Sequence, residues 1–389
     1  LDEQYPVVGV YTTSLIQLMV AGAVLLALAH QVPGLAALGL AVMAIHVLSR
    51  LWSKLASRRT SARVRLDRSR AFPGDPVRLT LTVENQSRLP IWVQAAVGRD
   101  AQHPLELGPA ETINTVLAGR SAAEMDWSLA PNRRGVYRVG PDRIIGGDLL
   151  GWFPKGLAGA RPAELVVYPH LPPAVRIEAA RLEYYGAAGA RSPVVDPVYI
   201  MGARDWTPNR PARHIHWRAS ARLDRWQEKV FDPSAQVKAL MMLDVSGFDQ
   251  AGGQEDFERI LSLLASLAVE YDRRGYRSGL LANGELAGDP GGLAADGSIR
   301  PVGLILELLA RQTPVASRTL ADLMVDRSGL AHRAAVILAF RQWDDTAEAN
   351  AAALGPRNRS AVLIAARPGP GSPGGVMAVD DLIPPEARV

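Results

Sequence analysis

The first forty-nine residues carry no lysine or arginine, whereas the next sixteen carry six and no acid. Few patterns restrict a chain more. Tyr11 to Ala29 is almost wholly apolar, and at 1.5 Å per residue a helix over it matches a bilayer core of about 30 Å. A second apolar run, Leu35 to Leu48, continues through Ser49, Arg50, Leu51 and Trp52, and the HQVPG turn, His30 to Gly34, joins the two. The spacing predicts a two-helix transmembrane hairpin. Each run is near the short end for a span, so a buried hairpin in a soluble domain is the competing reading. A cleaved signal peptide fits less well, because no basic segment precedes the apolar core. Arg50, Trp52, Lys54, Arg58 and Arg59 are expected to anchor the hairpin at membrane lipid headgroups. By the positive-inside rule that end faces the cytoplasm, which puts the globular parts on the inner side of a plasma membrane.

Charge elsewhere is balanced. The net charge of +4 arises from this local cluster, because acidic and basic residues are equal in number beyond Arg65. A general nucleic-acid-binding surface is therefore not expected. Cysteine is absent, which excludes disulfides, thiol nucleophiles and cysteine-based zinc sites. A length of 389 residues allows two or three domains.

From Thr60 the texture changes to short β-forming runs separated by turn residues. Ala62 to Ser69, Val77 to Glu84, Ile91 to Val97, Thr112 to Ala118, Glu124 to Leu129, Gly135 to Val139 and Glu164 to Tyr168 are expected strands. Seven strands at this spacing predict a β-sandwich of immunoglobulin or fibronectin type over residues 60–170. The stretch Ala179 to Pro197 has no clear period and is expected to wrap between domains. Further on, strands at Val237 to Leu243, Tyr276 to Ala282, Arg333 to Phe340 and Ala361 to Ala366 alternate with helices at Glu255 to Arg274, Val302 to Arg311 and Asp344 to Ala353. This alternation predicts a doubly wound parallel sheet over 237–389. The helix from Glu255 places Phe257, Ile260, Leu261, Leu264, Leu267, Ala268 and Tyr271 on one face, as a core requires. Ala378 to Val389 is expected to be a tail.

The most unusual text is Met201 to Phe231, within the interdomain segment 171–236. There Arg204, Arg210, Arg213, Arg218, Arg222 and Arg225 are threaded with His214, His216, Trp206, Trp217 and Trp226. Three readings compete. Arginine forks and tryptophan faces suit phosphates and bases. His214 and His216 would share a face if the run were a strand, which suits a metal or catalytic site. A structural clasp or protein-contact element is the third, favoured because HxH supplies at most two ligands and no third is apparent nearby. No G-x-G-x-x-G, G-x-x-x-x-G-K, G-x-S-x-G or H-E-x-x-H motif is present.

This run resembles the signature of the bacterial "domain of unknown function 58" family. Arg204, Trp206, Pro208, Arg213, Ile215, His216, Trp217, Arg218, Ser220, Ala221 and Arg222 fall on its pattern, followed by Lys229, Phe231 and Asp232. Asn209 stands where glycine is usual and Arg210 where aspartate is usual, so no role of that aspartate carries over. Arg133 to Phe153 is also similar to the family, with Asp148, Gly151 and Phe153 matching; these are expected to form a turn and an aromatic plug against the next domain. The likeness covers most of residues 60–366 and is strongest over 197–282.

The strand end Leu243-Asp244-Val245-Ser246-Gly247-Phe248 looks like the first motif of a von Willebrand factor type A domain, D-x-S-x-S, which holds Mg²⁺ in its adhesion site. Asp244 and Ser246 match, whereas Phe248 replaces the second hydroxyl. After Phe340 the expected aspartate is missing, with Asp344 and Asp345 arriving late. Near-octahedral oxygen ligation is hard to assemble from what is left, so Asp244 is expected to accept backbone donors or to pair with an arginine of the signature run.

The leading expectation is a non-enzymatic, membrane-anchored interaction protein of the bacterial plasma membrane, without a cofactor, and the resemblance agrees with it. The resemblance also implies a MoxR-type AAA+ ATPase and a transglutaminase-like membrane protein as partners. Two other readings stand beside it: a metal-dependent hydrolase or nuclease using His214 and His216 with Asp205 or Asp244, and a metal-dependent adhesion-type ligand receptor.

Overall fold

The computed structural model describes residues 10–97, 106–107, 112–157, 160–172, 200–206, 215–231, 238–326, 335–354, 361–369 and 371–383. The chain divides into two compact units, Leu1–Tyr168 and Pro169–Val389.

The first unit begins with helix α1 (Val10–Ala29) and helix α2 (Pro33–Ser57), which lie against each other. Gln31 takes a positive φ in the turn, and proline opens α2, where its missing N–H costs nothing. Gly39 lets the helices approach, since a Cβ there would strike Val24. By length and composition α2 can cross a membrane, while the shorter Gln17–Ala29 is the apolar stretch of α1. The last third of α2 is not free. Ser49 Oγ donates to Asp148 at 2.7 Å, Trp52 Nε1 to the Pro90 carbonyl at 2.7 Å, and Ser53 Oγ to the Phe153 carbonyl at 2.5 Å. Ala56 is fully buried in the core that follows.

That core belongs to a sandwich-like set of sheets. The strands are β1 (Thr60–Leu66), β2 (Arg70–Ala71), β3 (Val77–Asn85), β4 (Ile91–Val97), β5 (Glu106–Leu107), β6 (Thr112–Leu117), β7 (Ser121–Ala130), β8 (Gly135–Val139), β9 (Pro141–Gly147), β10 (Lys155–Gly156) and β11 (Ala163–Val167). They pair as β1-β3-β7-β5, β10-β9-β4-β6 and β2-β11-β8. Alternation along β3 buries Val77, Leu79, Leu81 and Val83. Across from them lie Ile91, Val93 and Ala95 of β4 and Ile144 of β9. Tyr137 of β8 is buried and donates its hydroxyl to the Arg133 carbonyl at 2.6 Å, pinning the corner that enters the strand.

β2, β5, β9 and β10 were not among the expected strands. β9 opens on a proline and ends on two glycines, residues that weaken a strand signal.

The second unit contains a ribbon of β12 (Ile200–Asp205) and β13 (Gln227–Phe231) with the short helix α3 (Trp217–Leu223) between them in sequence. Its main sheet has the order β17-β15-β14-β19-β20-β21. These are β14 (Lys238–Leu243), β15 (Arg277–Ala282), β17 (Asp296–Arg300), β19 (Ala335–Gln342), β20 (Val362–Arg367) and β21 (Val376–Ala378). All neighbours are parallel except β17, which runs antiparallel to β15. A ribbon of β16 (Gly284–Leu286) and β18 (Gln312–Ala316) stands apart.

Helix α4 (Gly253–Arg273) packs on the sheet and on α5 (Val302–Arg311). Its buried residues include the seven expected, with Gly253, Asp256, Leu263, Ala265 and Ser266 in addition. Helices α6 (Leu320–Asp326) and α7 (Asp345–Ala353) supply Leu320, Met324 and Ala347 to a core with Leu240, Met242, Leu338 and Phe340.

The expected tail is instead structured through residue 383. Helix α8 (Val379–Leu382) follows β21 directly, and Val379 and Leu382 are buried against β20, β21 and α4. Burial of two aliphatic side chains holds so short a helix in place.

Candidate functional site

In doubly wound sheets ligands gather at the carboxyl ends of strands, beside the point where the strand order turns back. Here that point lies between β14 and β19: the chain passes from β14 to β15 on one side, then returns to β19 on the other. Asp244 follows β14 directly, and its N–H donates to the Ala339 carbonyl at 2.9 Å.

The Asp244 side chain is only 2% exposed as part of its residue and is enclosed by amides. Asn283 Nδ2 donates to Oδ1 at 2.9 Å, and Asn350 Nδ2 donates to Oδ2 at 2.5 Å. The Ser246 N–H donates to Oδ1 at 3.0 Å. Asn283 then continues the network, accepting from the Val245 N–H at 2.8 Å and donating to the Arg318 carbonyl at 3.2 Å. Both asparagines are buried. Among the described residues the aspartate meets one backbone donor at its side chain, as expected, and its side-chain partners are asparagines from the end of β15 and from α7; Arg210 and Arg213 of the signature run lie outside the described residues.

The next loop is locked by Arg341, from the end of β19. Its Nη1 donates to the Gly247 carbonyl at 2.6 Å and to Gln250 Oε1 at 3.1 Å, and its Nη2 donates to the Ala251 carbonyl at 3.0 Å. The Nε faces Asp256 Oδ2 at 3.5 Å as an ion pair without a hydrogen bond. Arg367 Nε donates to Asp256 Oδ1 at 3.0 Å. One buried carboxylate thereby ties the start of α4 to the ends of β19 and β20.

Phe248, at the position where a second hydroxyl would complete the metal motif, is buried and packs on Phe257 with ring centroids 5.2 Å apart. Asp344 caps α7, accepting from the Ala347 N–H at 2.8 Å. Among the described residues no group of three or more His, Asp or Glu side chains is placed to hold a metal ion.

The described parts of the signature run, 200–206 and 215–231, are tied together by hydrogen bonds and ion pairs. Arg204 of β12 donates to the buried Glu228 of β13 at 3.2 Å. Asp205 accepts from Gln227 Nε2 at 2.6 Å and from Arg225 Nη1 at 3.2 Å. The Trp206 N–H donates to the Trp226 carbonyl at 2.9 Å. His216 is the N-cap of α3, with Nδ1 accepting from the Ala219 N–H at 3.1 Å. The strand geometry considered for His214 and His216 is therefore not found at His216, where a helix begins. Ser220 Oγ donates to the His216 carbonyl and accepts from the Gln227 N–H at 2.9 Å, stitching α3 to β13.

Trp217, Arg218 and Arg222 lie exposed on α3, and Trp217 packs edge-on against exposed Trp226 at 5.5 Å. Pro208, Arg213 and His214 lie outside the described residues.

Of the membrane-anchor set, Arg50, Lys54, Arg58 and Arg59 are exposed. Trp52 is turned the other way, packed against the sandwich core with its indole N–H on Pro90, because it shares a helix face with Ser49, Ser53 and Ala56. Phe153 of the matched turn meets His46 of α2 with ring centroids 4.6 Å apart. Asn283, Asn350 and Arg341 went unrecognised in the sequence, since no local motif links them to Asp244 and its loop.

No family model matches the chain, and no curated protein matches it. Solved structures match over about a quarter to a third of its length. They include the cupredoxin domain of amoB from Nitrosocaldus yellowstonii, 10% identical, covering 29% of this chain and 89% of that one with a TM-score of 0.20. The PapD-like domain 7 of human CEP192 is 17% identical, covering 27% and 83%, with a TM-score of 0.18. A FixG-related protein from Vibrio parahaemolyticus is 14% identical, covering 28% and 96%, with a TM-score of 0.20.

Proposed function

We propose that the chain is a membrane-anchored, non-enzymatic interaction protein of the domain-of-unknown-function-58 kind. In this reading α1 and α2 are a two-span hairpin in a bacterial plasma membrane. The first unit is an immunoglobulin-like sandwich on the cytoplasmic side, and the second is a von Willebrand A-like domain whose adhesion site has lost its metal. The strand order with a single antiparallel strand, β17, supports the last assignment, and the Tyr137 corner supports the sandwich type.

The observation that carries the reading is the closure of the rim at Asp244. Two buried asparagines take both of its oxygens, and Phe248 fills the place of a ligand. Mg²⁺ needs near-octahedral oxygen ligation, and these residues do not fit it. A unit whose reactive corner is filled from within is left with its surface, and α3 with the turn after it offers the exposed pair Trp217 and Trp226 beside Arg218 and Arg222. Tryptophan and arginine are the residues that dominate protein-protein hot spots. The partners are a MoxR-type AAA+ ATPase and a transglutaminase-like membrane protein.

Purification of the full chain in mild detergent, followed by mass spectrometry, tests this. An ATPase of that type co-isolates with the unaltered chain, and Arg218→Glu diminishes its yield while the chain stays in the membrane fraction. Recovery of the chain alone from the membrane would overturn the proposal.

A further inference from the structure

The turn after β9 is built around Asp148. Its carboxylate accepts from Ser49 Oγ at 2.7 Å and from the N–H groups of Leu150, Trp152 and Phe153 at 3.2, 3.4 and 2.8 Å. Gly151 supplies the positive φ, +69°, that the turn needs. With the polar groups gathered inward, Leu149, Leu150 and Trp152 are left 51%, 57% and 43% exposed. Outside the two helices of the first unit and the turn that joins them, Val116 alone joins them as an exposed large apolar residue among those described. An exposed apolar cluster this concentrated calls for a partner.

The level of the turn along α2 says which partner. His46 lies 6.4 Å from Trp152 and 4.6 Å from Phe153, ring centroid to centroid. That is one helical turn before Arg50, on the side of the apolar run. From Pro33 to Arg50 an ideal helix rises about 26 Å, already less than the roughly 30 Å of a hydrocarbon core, and tilt only shortens it. A span through α2 therefore uses every residue up to Arg50, and His46 lies about 6 Å to the lipid side of that charge. The turn beside His46 shares its depth with the exposed Ile45 and Leu48.

On the opposite side of this level stands a group of cations, Arg50 and Lys54 of α2 and Arg58 at its C-cap, and β10, which carries Lys155, lies against that helix. The Lys155 pKa is lowered, by burial first and then by Lys54, Arg50 and Arg58. The axial order is thus apolar, aromatic, cationic, which is the order of a bilayer from core to anionic headgroups.

We infer that the turn Leu149 to Trp152 is a second membrane contact. It wedges into the leaflet from which α2 emerges, while Lys155 completes a phosphate-binding rim with Arg50, Lys54 and Arg58. This rests on the reading of α2 as a span. Lipid held at two points fixes how the sandwich faces the membrane.

The absence of cysteine allows a direct test. Leu150→Cys, Leu48→Cys and Val116→Cys are introduced singly into the full chain, labelled with an environment-sensitive fluorophore, and reconstituted in vesicles of phosphatidylethanolamine and phosphatidylglycerol. Emission at 150 and 48 is lost to brominated acyl chains and spared by aqueous iodide, while emission at 116 behaves oppositely. A label at 150 quenched by iodide, with 48 quenched by lipid, would overturn the wedge and leave the span intact. Labels at 150 and 48 both quenched by iodide would remove the span and the wedge together. A label at 150 shielded from both quenchers would mean that protein covers the turn, and would overturn the lipid assignment.

Discussion

Each unit buries an aspartate at the end of a strand, and the two are used in opposite ways. Asp148 follows β9 of the sandwich and collects one hydroxyl and three backbone N–H groups. Asp244 follows β14 of the parallel sheet and collects two asparagine amides and one backbone N–H. The first gathers a turn's own backbone and so turns hydrophobic side chains outward. The second draws on side chains 39 and 106 residues away and so seals a corner. Carboxylates of equal burial thus serve display in one case and closure in the other, according to whether most of the donors are local or remote.

The comparison is broken most severely by Asp244→Ala. Removing the acceptor leaves the Asn283 and Asn350 amides buried without it, and each unsatisfied buried donor costs about 1–3 kcal/mol, so a loss of about 3–5 kcal/mol is expected in denaturant unfolding of the full chain in detergent. Asp148→Ala is milder, at about 2 kcal/mol, because turn N–H groups released near the surface recover water. Its larger effect is local: limited proteolysis cuts at 149–152, and cutting elsewhere is unchanged. Equal losses of stability in the two variants would erase the distinction between local and remote donors.

The smallest effect comes from a buried polar group that has no acceptor. Burial pushes the Tyr271 phenol up, opposed by Arg274 and reinforced by Tyr276, and its hydroxyl has no partner among the described residues. A folded pKa above the unfolded one keeps its contribution whole below about pH 10, the ordinary phenol value, and loses it as pH climbs further. Tyr271→Phe should therefore gain about 1 kcal/mol at neutral pH and flatten the alkaline limb of a stability-pH curve. An unchanged alkaline limb would show that the phenol is hydrated in the folded chain.

What could be read from the sequence was what repeats at short range. The alternation of Val77 to Val83 and the three-four spacing of Phe257 to Tyr271 declare their own buried faces. The apolar run Leu35 to Leu48 likewise lies within α2. By contrast, α3 was hidden among arginines and tryptophans, since its cap is a histidine rather than Ser, Thr, Asp or Asn. β21 and α8 were hidden in a stretch too short for a period to show. The closure of Asp244 was illegible for a different reason, because it is made by a residue just after β15 and one from α7 that only the folded sheet brings together.

Helix α2 runs without interruption from its apolar stretch into the seam with β4 and β9. No glycine follows Gly39 in it, and its single proline is the first residue. With Ser49, Trp52 and Ser53 bonded across that seam, the sandwich rides on the helix as a blade on a shaft. Tilting or rotating the shaft swings the blade, and the sandwich has no independent swivel at Ser57 by which to ignore it.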